Sequence, residues 1–183
     1  MTCEPVNSFS FSIQASAPMA SRRGDIEDTS LSDAIQTIFP LHTELAFMCW
    51  NWGYIPLSYK CDWSEIVDDV IGMTVAIADA PTGRLEIDWP SNTFSAHWAV
   101  GWTEALVTVD AEWREVGGIA AERLNARPRL VWSRPGFLAE WRGPLVLLRN
   151  ALDDAGYRSQ LASRMAALDG ATERCIGPAA LYP

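Results

Sequence analysis

Two runs near the middle of the chain, "NTFSAHWAVGW" and "ALVTVDAEWREV", alternate apolar and polar residues on either side of Thr103-Glu104. A period of two belongs to extended chain with one buried face, so this region is committed to an antiparallel hairpin. Pairing Phe94 with Trp113, Ala96 with Ala111, Trp98 with Val109 and Val100 with Val107 collects the apolar side chains on one face. Thr93, Ser95, His97 and Ala99 then oppose Arg114, Glu112, Asp110 and Thr108 on the other, and a slip of one residue would destroy the sorting.

The second strong period is helical. In "DWSEIVDDVIGMTVAIADA", from Asp62 to Ala80, a winding of about 100° per residue gathers Trp63, Ile66, Val67, Val70, Ile71, Met73, Thr74, Ile77 and Ala78 on one arc. Ser64, Glu65, Asp68, Asp69, Gly72 and Ala76 fall on the other. Asp62 is expected to cap this helix with Glu65 completing a capping box, and Pro81 to end it.

Around these two elements the chain reads as a run of shorter ones. "SLSDAIQTIFP" predicts a short helix before Pro40, and "HTELAFMCWNWGYIPLSY" a hairpin turning at Trp52-Gly53. "RLEIDW" and "RLVWS" predict further strands, and "GGIAAERLNARP" a loop or short helical connection. A helix opening at Ser133-Arg134-Pro135 should be kinked or split by Pro144 and capped by Gly156. "SQLASRMAALDG" predicts a last helix ending at Gly170. Residues 1–29 read as a flexible leader in which "FSFSI" could add an edge strand and Met19 is an alternative start; residues 171–183 read as a frayed tail. The expectation is one α+β domain over residues 30–170, an antiparallel sheet of hairpin plus meander with amphipathic helices packed on one face.

Charge narrows the function classes. The net charge is −9, with 23 acidic residues against 14 basic ones. Residues 24–80 hold ten of the acids and one base, Lys60, which is the only lysine. Phosphate backbones and anionic bilayers are bound by clustered Lys and Arg, so nucleic acid and membrane surfaces are disfavoured as partners. A basic protein suits this surface. Cys3, Cys49, Cys61 and Cys175 show no C-x-x-C or Cys/His ligand spacing, so neither a metal nor a disulfide framework is indicated, and reduced cytoplasmic thiols are expected. The glycines fit no phosphate-binding or dinucleotide pattern, so no cofactor is indicated. His42 stands alone and reads as a surface residue.

Two chemical constellations remain. His97 faces Asp110, with Ser95 and Glu112 on the same polar face, and a small hydrolase-like site can be drawn from them. Cross-strand polar pairs are commonplace on a wet sheet face, and no nucleophile elbow accompanies these, so no catalytic residue is assigned. The nine tryptophans offer an aromatic groove for a small molecule, with Trp50, Trp52, Trp63, Trp89 and Trp102 at turns and element ends. A buried indole N–H wants an acceptor, so some of the nine are expected at edges.

The segments "WNWGYIPLSYKCDWSEIVDDV", "WPSNTFSAHW" and "AEWREV" resemble those of small, acidic, Trp-rich bacterial proteins, the immunity proteins of polymorphic or contact-dependent toxin systems. The resemblance covers about residues 41–155 in composition and segment order, and transfers no individual binding residue. It implies a cytoplasmic, non-enzymatic protein that binds and neutralises a cognate toxin domain. The residues themselves point the same way: Glu65, Asp68 and Asp69 as an acidic rim, with Trp52 and Trp63 as anchors, form the expected partner surface.

Overall fold

The computed structural model describes residues 11–16, 23–41 and 45–175, so Cys3, Met19 and His42 lie outside the described residues. The fold is α+β, built on two antiparallel sheets.

The first sheet has three strands in the order β1 (Phe11–Ala15), β2 (Leu45–Trp50), β3 (Gly53–Ser58). Their register aligns Phe11 with Trp50, and Ile13 with Met48 and Ile55, and all five side chains point into the core. Residues 11–15 are therefore no leader. Phe11 is fully buried, and its ring stacks on Phe137 at 5.1 Å. Residues beyond β1 are also tied down: Gly24 N donates to Ala155 O, Asp25 N donates to the Tyr157 hydroxyl, and that hydroxyl donates to Asp28.

The second sheet is a four-stranded meander of β4 (Gly83–Ser91), β5 (Phe94–Trp102), β6 (Leu106–Val116) and β7 (Arg129–Ser133). The β5–β6 pairing differs from the expected one by two residues: Ala96 opposes Trp113, Trp98 opposes Ala111 and Val100 opposes Val109. The turn lies one residue later than expected, since Thr103 N bonds Leu106 O and leaves Glu104-Ala105 as its tip. A shift of two keeps every side chain on its face, so the apolar sorting that argued for the hairpin is blind to it. A bulge at Ser95/Ala96 then brings Phe94 opposite Val116.

Helix α1 (Leu31–Ile38) is capped by Ser30, with Asp33 answering in a capping box. Helix α2 (Ser64–Asp79) packs against α1 and β4, and its apolar arc is buried save for the half-buried Ala78, while Ser64, expected on the polar arc, is buried too. A short α3 (Ala121–Asn125) sits on β6. Ser133 caps α4 (Arg134–Asp154), which runs unbroken through Pro144 and ends before Gly156 at φ +95°. After a turn of helix, α5 (Tyr157–Gln160), the last helix, α6 (Ala162–Arg174), passes through Gly170 rather than stopping there. No helix among the described residues is long and apolar enough to cross a membrane.

Eight of the nine tryptophans are buried, and Trp52 alone is exposed. Trp50 and Trp102 reach carbonyls of Arg127 and Ala80. The indole N–H groups of Trp63, Trp89, Trp98, Trp113 and Trp141 have no hydrogen-bond partner among the described residues. Area, not hydrogen bonding, decides their position: Trp98 packs edge-on against Trp89, Trp113 and Trp141, with centroids 5.2–6.4 Å apart. Each such ring buries on the order of 200 Å².

Candidate functional site

The helix expected to open at Asp62 opens four residues earlier. Tyr59–Trp63 form a π-helical turn, and Ser58 is its cap: Ser58 Oγ accepts from Cys61 N at 3.3 Å. Asp62 completes the reciprocal half of the box by accepting Ser58 N at 2.6 Å on Oδ2, and Glu65 has no part in the capping. Within this turn Asp62 faces inward and Cys61 outward. Asp62 is thus 1% exposed, while Cys61 is exposed.

The other Asp62 oxygen reaches the second sheet. Oδ1 accepts the hydroxyls of Ser91 and Thr93, from the end of β4 and the turn into β5. A carboxylate from one helix start thereby holds a turn in each direction. It also forms part of the wall of a cavity of about 510 Å³, shared with Lys60, Cys61, Glu65, Asn92 and Thr93. Sequence reasoning singled out Asp62 and Glu65 here but not Ser58, Ser91 or Thr93. The hydroxyls lie about thirty residues from Asp62, and no local pattern marks them as its donors.

Along α2, Glu65, Asp68 and Asp69 stand exposed beside Gly72, and a Cβ at Gly72 would meet nothing within 4 Å. Partial burial, and then the neighbouring Asp68, hold the Asp69 carboxyl above its ordinary range. None of the three acids joins any of the eight ion pairs found among the described residues.

The expected anchors do not join this face. Trp63 is fully buried against Trp141 at 6.1 Å, because the π turn points it into the core, and it presents nothing to a partner. Trp52 is 58% exposed but sits at the opposite end of β3, whose six residues span roughly 20 Å. The hairpin turns at Asn51-Trp52, both with positive φ (43° and 75°), and not at Trp52-Gly53. Gly53 is spent on packing: a Cβ there would come within 2.8 Å of Leu124 and 3.0 Å of Ile119. A bulky residue in the left-handed region is strained by about 1 kcal/mol or more. Phe47 and Tyr54, on the outer face of the first sheet, are also exposed, and Arg123 and Arg127 line a small cavity with Trp52. The groove expected from Trp50, Trp63, Trp89 and Trp102 does not form, since all four rings are buried.

The His97 constellation is also rearranged. Glu112 opposes His97 across the strands, and Asp110 instead opposes Ala99 and lies 3.8 Å from Arg129. The ring is clamped from β4, with Nε2 2.7 Å from Glu86 and Nδ1 3.2 Å from Asp88, which Arg114 also approaches at 3.1 Å. Hydrogen bonding to Glu86, then to Asp88, raises the His97 pKa above the ordinary histidine value. Both ring nitrogens are thus engaged by carboxylates of β4, and among the described residues neither is hydrogen-bonded to Ser95. The Ser-His-Asp arrangement drawn from the sequence is not assembled. Among the described residues no three His, Cys, Asp or Glu side chains are placed to share a metal ion.

Comparison with family models, with curated proteins and with solved structures finds no match to this chain.

Proposed function

We propose that this chain is a binding protein that engages a basic protein domain through the exposed face of α2, and that it acts as an immunity protein neutralising a toxin domain in the cytoplasm. The observation that carries this reading is the set of three carboxylates, Glu65, Asp68 and Asp69, exposed together and outside every ion pair among the described residues. Surface acids that serve only solubility are ordinarily interspersed with bases, and residues 24–80 supply one base for ten acids. Such a field speeds encounter with a basic partner and disfavours acidic ones. The open backbone at Gly72 lets a long cationic side chain approach between the acids. Covering a toxin's catalytic surface needs no chemistry from the inhibitor.

Capture of partners from the native cells at low salt, with the wild type and an Asp68→Lys/Asp69→Lys variant side by side, tests the reading. The wild type should retain one stoichiometric basic protein that raised salt releases, and the folded variant should lose it. A variant that keeps both the partner and its salt dependence would remove α2 as the docking face.

A further inference from the structure

We propose that the cavity at the π-helical turn binds an alkylguanidinium or alkylammonium group, supplied by an arginine or lysine side chain of the basic partner. This rests on the reading above for the source of the cation, but the chemistry of the cavity stands on its own walls. Its volume, about 510 Å³, lies within the range of ligand sites. It opens where the end of β3, the π turn and the β4–β5 turn meet, so its walls come from both sheets and are held together by Asp62.

The charge of the walls favours a cation. Asp62 is buried with no cationic partner among the described residues, and all three of its donors are neutral: one backbone N–H and two hydroxyls. A buried carboxylate is stabilised further by a nearby positive charge. Glu65 stands exposed at the same cavity and joins no ion pair among the described residues. The one base among the described lining residues, Lys60, donates to the Gln36 carbonyl, and on its far side it borders a second depression lined by Asp28 and Asp33. An incoming cation therefore meets a net negative field. The remaining surface suits the rest of an arginine or lysine side chain: Leu45 and Pro56 offer apolar walls for its methylene stem, and Asn92 adds polar groups for its head or the adjoining peptide. Asp62 sets the field and the shape of the site, and Glu65 makes the direct contact.

Cys61, an exposed thiol in the same lining, reports occupancy. The full chain is alkylated with iodoacetamide and the modification of each cysteine followed by peptide mass mapping, with the buried Cys175 as the slow reference. The probe is N-acetyl-L-arginine methylamide, and its uncharged counterpart is N-acetyl-L-citrulline methylamide. The arginine probe should slow Cys61 alkylation about fivefold once it is present at about four times its Kd. The citrulline probe should not, and Glu65→Gln, a side chain with no cap or ion pair among the described residues, should weaken the protection in a protein of unchanged thermal stability. Equal protection by citrulline, or none by arginine at tens of millimolar, overturns the proposal. If arginine protects Cys61 while no basic protein is captured from cells, the cavity stands, its cation is a free small molecule, and the toxin-binding reading fails instead.

Discussion

The Thr93 hydroxyl donates to Asp62 Oδ1 at 2.6 Å, and through that bond the turn between β4 and β5 is fastened to the start of α2. The same carboxylate accepts Ser58 N at 2.6 Å, so a single side chain joins the end of the first sheet, the π turn and the second sheet. An acid that reads as a local helix cap is in fact a tie between the two halves of the fold.

Removal of that tie should be costly. Asp62→Ala leaves the buried Ser91 hydroxyl and the Ser58 N–H without their acceptor, for an expected loss of about 2–4 kcal/mol. Asp62→Asn keeps one acceptor oxygen and should lose less. Urea unfolding of both variants checks the order; equal stability of Asp62→Ala and the wild type would show that the tie carries no energy.

Phe11 should matter as much as any residue of the central helices. Its ring is fully buried between Trp50 and Phe137, so Phe11→Ala should destabilise by about 3–5 kcal/mol. A flexible leader would tolerate the change, which makes the thermal midpoint a direct reading of whether β1 belongs to the core.

Trp52 makes the opposite case. Its φ of 75° is one that glycine adopts freely, so Trp52→Gly should relieve strain and leave stability unchanged or raised by about 0.5–1 kcal/mol. A loss above about 1 kcal/mol in chemical unfolding would mean that the indole's contacts outweigh the backbone strain.

His97 should titrate above the ordinary histidine value of about 6.5 in an NMR pH series, and Glu86→Gln should bring it down. Because the folded-state pKa is the higher one, the contribution to stability is complete below the unfolded value and fades as pH rises through the folded one. Glu86, lowered by its bonds to His97 and then Arg84, contributes in the opposite sense: its share is present above the unfolded carboxylate value and is lost as pH falls through the folded one. Both groups are solvent-facing, so the effect on overall stability should be small. A His97 that titrates at or below the ordinary value would mean that the carboxylates do not hold it.

By itself the sequence determined much of what depends on neighbours along the chain, although neither the cap at Ser58 nor the continuation of α6 through Gly170 was legible there. The period-two runs from Phe94 to Val116 specify which faces are buried, the 3.6-residue period of α2 specifies its dry arc, and Ser133 and Gly156 mark helix ends because capping involves only residues within one turn. The acidity of α2 was legible for the same reason. Only the tertiary structure decided the rest. A two-residue slip conserves every buried face, so the β5–β6 register needed the turn and the bulge to settle it. The carboxylates that hold His97 come from β4, the donors that hold Asp62 come from the β4–β5 turn, and the space that left Trp52 exposed and Trp63 buried depends on where α3 and α4 pack. Hydrogen bonds and packing between distant segments leave no periodic trace in a single chain, because what selects them is the shape of the folded whole.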